Sequence, residues 1–200
     1  TTPENETFNI LLFCIWNIKE ATIPSDIEII ESYSFDNSQL QTIEIPSNSK
    51  LHTIKPWSFN GSSIKSINLP QNLVKIGKNA FRECFSLRKI EIPENSKLQI
   101  IEEEAFYDSS IESIYVPSSV VDLKSGWCRD TRYLNEIKID PNNQFYKMHD
   151  NKFIVGKTTP NNETFNVLLF CIRNISEATI PSDIEIIESY SFEYSQLRTI

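Results

Sequence analysis

A short apolar phrase closed by proline returns along this chain at a nearly constant interval. It reads Thr22-Ile23-Pro24, Glu44-Ile45-Pro46, Asn68-Leu69-Pro70, Glu91-Ile92-Pro93 and Tyr115-Val116-Pro117, with successive prolines 22, 24, 23 and 24 residues apart. Lys138-Ile139-Asp140-Pro141 repeats the phrase with its proline one place late, and Thr179-Ile180-Pro181 restarts it. After each phrase comes a small residue followed by an aromatic: Ser34-Phe35, Ser58-Phe59, Ala80-Phe81, Ala105-Phe106, Gly126-Trp127 and Ser191-Phe192. A leucine or isoleucine then leads into the next phrase, as in Leu87-Arg88-Lys89-Ile90-Glu91-Ile92-Pro93. Self-similarity at such a period marks a stack of identical supersecondary units.

The physics of one unit explains why it must stack. In Leu-x-x-Ile-x-Ile-Pro the apolar residues share one face of a strand, because alternate side chains point the same way. Proline cannot donate a ladder hydrogen bond, so it ends the strand and turns the chain. A lone strand cannot bury that face, whereas copies about 4.8 Å apart in a parallel ladder can. The pattern therefore predicts a β-dominated solenoid with one short strand per rung of about 23 residues. Its far side should be irregular or 3-10 turn, with Phe35, Phe59, Phe81, Phe106 and Trp127 forming an internal column and no long helices. Ser47-Asn48-Ser49-Lys50 and Glu94-Asn95-Ser96-Lys97 are two residues longer than the matching segments of neighbouring rungs, so they should form loops on one side.

A longer period overlies the short one. Residues 1–43 and 158–200 agree at 36 of 43 positions at an offset of 157, with Trp16 against Arg173 and Asn37 against Tyr194 among the differences. Between them, Pro141-Asn142-Asn143 is turn-forming, and two apolar runs flank His149-Asp150-Asn151, which reads as a β-hairpin. The expected organisation is a strand or hairpin end over 1–20, a solenoid over 21–140, a hairpin insert over 141–177 and a new repeat block over 178–200.

Composition narrows the function. A net charge of −8 and 40% apolar residues permit a sizeable core and disfavour nucleic acid or an anionic membrane as partner. No run is long and apolar enough for a membrane span, and the first residues lack a signal-peptide pattern. Cys14, Cys84, Cys128 and Cys171 show neither CxxC spacing nor metal-ligand spacing with His52 or His149, and read as buried thiols. There is no G-x-S-x-G, H-E-x-x-H, phosphate loop or calcium loop. Glu102-Glu103-Glu104 occurs in one repeat only and reads as a solvated acid run. The reading is therefore of a non-enzymatic chain with no catalytic residue, metal or cofactor. Asn5, Asn60, Asn162 and Asn174 head N-x-S/T sequons, acceptors for N-glycosylation on a secretory route.

The succession I-x-I-P, L/V-x-x-I-x-x-x-A/S-F and L-x-x-I resembles the BspA-like leucine-rich repeats of bacterial and protist surface proteins. Lys75-Ile76-Gly77-Lys78-Asn79-Ala80-Phe81-Arg82-Glu83-Cys84-Phe85-Ser86-Leu87 matches it well, and the likeness covers 21–140 and 178–200. Gly126-Trp127 and Asp140 depart from it. The resemblance implies a leucine-rich-repeat-like solenoid and a cell-surface or secreted adhesin-like role, binding protein ligands on host cells, matrix or other microbes. The alternative is a structural or cytoplasmic scaffold array that binds partners or self-associates through its repeat ends. In such proteins the strands line the ligand face. Here that face would carry Glu44, Asn68, Arg88, Lys89, Glu91, Glu112, Tyr115 and Lys138, with Tyr115, Arg88 and Lys138 as anchors. The hairpin tip His149-Asp150-Asn151 is a second candidate.

Overall fold

The computed structural model describes residues 9–12, 17–159 and 161–199; Asn5, Cys14 and Trp16 lie outside them. Sixteen strands, numbered in chain order, fall into three sheets, and no helix occurs among the described residues. The front ladder is formed by the strands that precede each proline: β2 (Glu20–Thr22), β4 (Thr42–Glu44), β6 (Ser66–Asn68), β8 (Lys89–Glu91), β10 (Ser113–Val116) and β12 (Glu136–Ile139). All its neighbours pair in parallel.

Each coil also carries a second strand, a correction to the expected single strand per rung. The side ladder runs β1 (Ile10–Leu11), β3 (Ile29–Ile30), β5 (Thr53–Ile54), β7 (Lys75–Ile76), β9 (Ile100–Ile101) and β11 (Asp122–Leu123), also parallel. Two residues are too few to show a period of two, so only pairing with neighbouring coils makes these segments strands. The third side is a column of turns. Tyr33, Trp57, Asn79 and Glu104 each take positive φ two residues before the aromatic, and Asn37, Gly61, Glu83 and Asp108 do so two residues after it. This backbone aims N–H groups along the stack: Phe35 N donates to Ser58 O at 2.7 Å, Phe59 N to Ala80 O at 2.8 Å and Phe81 N to Ala105 O at 2.7 Å.

Inside the coil, columns of like residues are sealed from solvent. Leu40, Ile64, Leu87, Ile111 and Leu134 form one; Ile30, Ile54, Ile76, Ile101 and Leu123 form another. Each such side chain contributes about 1.5–3 kcal/mol of burial. The phenylalanine column stacks nearly parallel, with centroids 4.7, 5.1 and 5.5 Å apart from Phe35 through Phe59 and Phe81 to Phe106. Trp127 ends the column edge-on, at 83° to Phe106.

Trp127 is also out of the expected register. Phe106 N donates to Trp127 O, as Phe81 N does to Ala105 O, so Trp127 fills the small-residue place and Cys128 the aromatic one. Gly126, with φ of 66°, holds the left-handed position that precedes the small residue in every coil. Cys84, Cys128 and Cys171 are buried and free. Loss of solvation pushes the thiols of Cys84 and Cys128 up to about 12 and that of Cys171 to about 11.

The third sheet is β13 (Tyr146–His149), β14 (Phe153–Gly156), β15 (Val167–Cys171) and β16 (Ile186–Ile187). β13 and β14 form an antiparallel hairpin closed by Asp150, Asn151 and Lys152; Asp150 and Asn151 both have positive φ, and Lys152 N donates to His149 O at 2.9 Å. Asn143 docks this sheet on the solenoid. Its amide donates to Pro117 O at 2.9 Å and Val120 O at 3.0 Å, while its oxygen accepts from Phe145 N and Tyr146 N. Tyr146 Oη then accepts from Leu123 N at 2.8 Å, closing the free edge of the side ladder. Beyond the hairpin the fold repeats itself: Ile10↔Ile29 and Leu11↔Ile30 recur at the 157-residue offset as Val167↔Ile186 and Leu168↔Ile187.

Candidate functional site

The outward residues of the front ladder alternate with buried isoleucines, as in Lys89, Ile90 and Glu91. The long corners decide where this surface opens. β2–β4, β6–β8 and β10–β12 pair over three, three and four residues, but β4–β6 and β8–β10 pair only at Thr42↔Ser66 and Lys89↔Ser113. β4 and β8 are the strands followed by the two-residue-longer segments 47–50 and 94–97. A longer corner draws the strand end away from the next coil, and the ladder splays.

The splay after Lys89↔Ser113 leaves a groove of about 490 Å³, lined by Asn68, Glu91, Ile92, Glu94, Tyr115 and Lys138 among others. The structure thus brings together four of the predicted face residues. Tyr115 is half-buried at its centre. Its hydroxyl donates to Asp140 Oδ2 at 2.6 Å, and Lys138 Nζ lies 6.0 Å from its ring. Burial, then the hydrogen bond to Asp140, raises the phenol above its ordinary range; the same bond lowers the Asp140 carboxyl.

Other predicted residues are placed elsewhere. Arg88 and Glu112 pair at 3.5 Å at the corner next to the turn side, and the Arg88 guanidinium lies 5.1 Å from the Tyr133 ring, so Arg88 is not an anchor beside Tyr115. Lys89 is held by Glu91 at 2.5 Å. Glu44 stays in the same outward column but at the far end of the ladder, opposite Thr22. At the hairpin tip, His149 Nε2 lies 3.5 Å from Asp150 Oδ2. A second cavity, of about 380 Å³, runs between β12 and the hairpin and is lined by Lys138, Met148, Asn151 and Ile172. Lys138 therefore borders both cavities and joins the sheet face to the tip, which the sequence presents as separate patches.

Asp140, Met148 and Ile172 were not anticipated. Only Asp140 left a signal, standing where the other rungs have proline. The acid run is dispersed: Glu102 reaches Lys75 at 2.5 Å, Glu103 Lys78 at 2.8 Å and Glu104 Arg129 at 3.3 Å. His52 Nδ1 contacts Thr53 Oγ1 at 2.8 Å. No cluster of metal-ligating side chains occurs among the described residues. Of the sequons, Asn174 is exposed, Asn162 accepts from Thr164 N, and the Asn60 amide donates to Asp36 Oδ1 at 2.7 Å.

Stacked coils with a parallel front ladder and a shared apolar interior define a leucine-rich-repeat solenoid. More narrowly, the chain belongs to the BspA type leucine rich repeat family, whose model matches residues 7–135 and 128–198 in six copies. Among solved structures it is similar to the pneumococcal vaccine antigen PcpA, with a TM-score of 0.82 and 28% identity over 92% of this chain and 45% of that one. A leucine rich cell surface protein of Faecalibacterium prausnitzii shares the fold, with a TM-score of 0.66 and 17% identity over 90% of this chain and 62% of that one. A leucine-rich repeat protein of Bacteroides ovatus does so with a TM-score of 0.63 and 16% identity over 90% of this chain and 50% of that one. The chain spans less than two thirds of each of these proteins. No curated protein matches it.

Proposed function

We propose that this chain is a non-enzymatic, protein-binding segment of a cell-surface or secreted adhesin-like protein. Its ligand is a protein of a host cell, the matrix or another microbe, held in the groove between β8 and β10. The observation that carries this reading is Tyr115, an aromatic fixed by Asp140 and flanked by Glu91 and Lys138 in a groove where the front ladder splays. A rigid aromatic between opposite charges is the composition of an interface anchor. Kinship with PcpA, a vaccine antigen, and with a cell surface protein supports the location.

Binding of purified matrix and host-surface proteins to the immobilised chain tests this. A ligand should be found whose affinity falls about tenfold or more in Tyr115→Ala. Unchanged binding in both Tyr115→Ala and Lys138→Ala removes the groove from the interface. The recurrence of β1–β3 as β15–β16 favours a second reading, a structural array, whose mark is assembly of the purified chain with rising concentration.

A further inference from the structure

A notch separate from the front groove lies at the corner between the turn side and the front ladder. It arises from unequal corner lengths. From aromatic position to leucine position, the path Phe106 to Ile111 is five residues, whereas Phe81 to Leu87 and Cys128 to Leu134 are six. The coils on either side therefore bulge past the middle one, and a cavity of about 360 Å³ opens over Asp108, Ser109 and Ser110. Its walls are Phe85 with Arg88 on one side and Arg132 with Tyr133 on the other.

Phe85 and Tyr133 keep 59% and 52% of their surface in solvent, among the largest apolar exposures in the chain. Both occupy the lengthened corners. On the floor, the Asp108 carboxylate is half-buried, and burial raises its pKa ahead of the opposing effect of the Arg132 charge. Below it the Ser109 hydroxyl has no partner. Asp130 is already engaged, 3.7 Å from Arg129. With Asp130 held by Arg129 and Arg88 by Glu112, the notch is left with Asp108 opposing Arg132. A cation meets the Arg132 guanidinium and an anion meets the Asp108 carboxylate. A neutral molecule with an apolar face and a rim of hydroxyls meets neither penalty.

We propose that this notch binds a neutral pyranose. The sugar lies between the two walls, its C–H face on Phe85 and its far side toward Tyr133, whose ring has the Arg88 guanidinium 5.1 Å from its centroid. Asp108 accepts from a pair of its hydroxyls, and Arg132, 4.8 Å from the Tyr194 ring, donates to a third.

Saturation-transfer NMR on the whole chain tests the proposal, with the methyl glycosides of glucose, galactose, mannose and N-acetylglucosamine as probes. N-acetyl-lysine methylamide and methyl phosphate serve as cationic and anionic rivals. At least one glycoside should bind, and Phe85→Ala/Tyr133→Ala should weaken it about tenfold or more. Asp108→Asn should weaken it as well, while Tyr115→Ala leaves it unchanged. Because both aromatics are exposed, thermal melting of the double variant should match the parent. Silence from all four glycosides, binding unaltered in the double variant and in Asp108→Asn, or binding of a charged rival alone would overturn the proposal.

Discussion

Tyr115 and Asp140 meet across one rung, the phenol donating to the carboxylate at 2.6 Å, and Asp140 stands where the preceding coil has Pro117. The replacement acts twice. Asp140 has an N–H, which it donates to Val116 O at 2.9 Å, a bond that proline cannot form. β10 and β12 accordingly pair over four residues, from Ser113↔Glu136 to Val116↔Ile139, the longest register in the front ladder. The same residue supplies the acceptor that fixes the aromatic at the groove.

Tyr115→Phe should destabilise the chain at neutral pH, an effect read as the difference in thermal midpoint. The Asp140 carboxyl is lowered in the fold, so its contribution is present above the ordinary carboxylate value of 3.8 and fades as pH falls below it. The phenol is raised, so its contribution holds below its ordinary value of 10.0 and fades as pH climbs beyond. A difference between wild type and variant that is constant from pH 3 to pH 8 would contradict the bond.

Phe81 lies between Phe59 and Phe106 with no solvent exposure. Phe81→Ala should cost about 3–5 kcal/mol in chemical denaturation, since neighbouring coils cannot close the void. Phe85→Ala, four residues on but facing solvent, should fall within about 0.5 kcal/mol of the parent.

Gly126 seats the coil that follows the hairpin. Its φ is 66°, and a Cβ there would lie 3.2 Å from Cδ2 of Tyr190. Tyr190 in turn sits against the Arg129 guanidinium, 4.2 Å from its ring centroid, and Arg129 reaches back to Tyr107 at 5.2 Å. Gly126→Ala should cost about 1–2 kcal/mol. It should also speed hydrogen exchange in residues 178–199 more than in the coils before Gly126. Equal changes throughout would show that this contact does not carry the stack across the insert.

The buried thiols predict a simple reactivity pattern. Cys84, Cys128 and Cys171 should resist a thiol reagent at pH 8 in the native state and react at once in denaturant, because burial holds each as the neutral thiol. Raised thiol values contribute stability below the ordinary value of 9.0, which is lost as pH rises above it. Rapid native labelling of Cys84 would place it outside the core.

Much of this molecule is legible without coordinates. The spacing of Leu40, Ile64, Leu87, Ile111 and Leu134, and of the phenylalanines from Phe35 to Phe106, determines which side chains enter the interior. Those positions follow from the strand period and from the need of each coil to bury its face on the next, and both are properties of the chain read in order. Tertiary structure alone decided what depends on comparing coils. Strands such as Thr53–Ile54 exist only through their neighbours. The slip that puts Trp127 in a small-residue place, the splay beside Tyr115 and the approach of Lys138 to the hairpin appear only once coils of unequal length are stacked. Residues far apart in sequence set those heights together, so no local pattern records them.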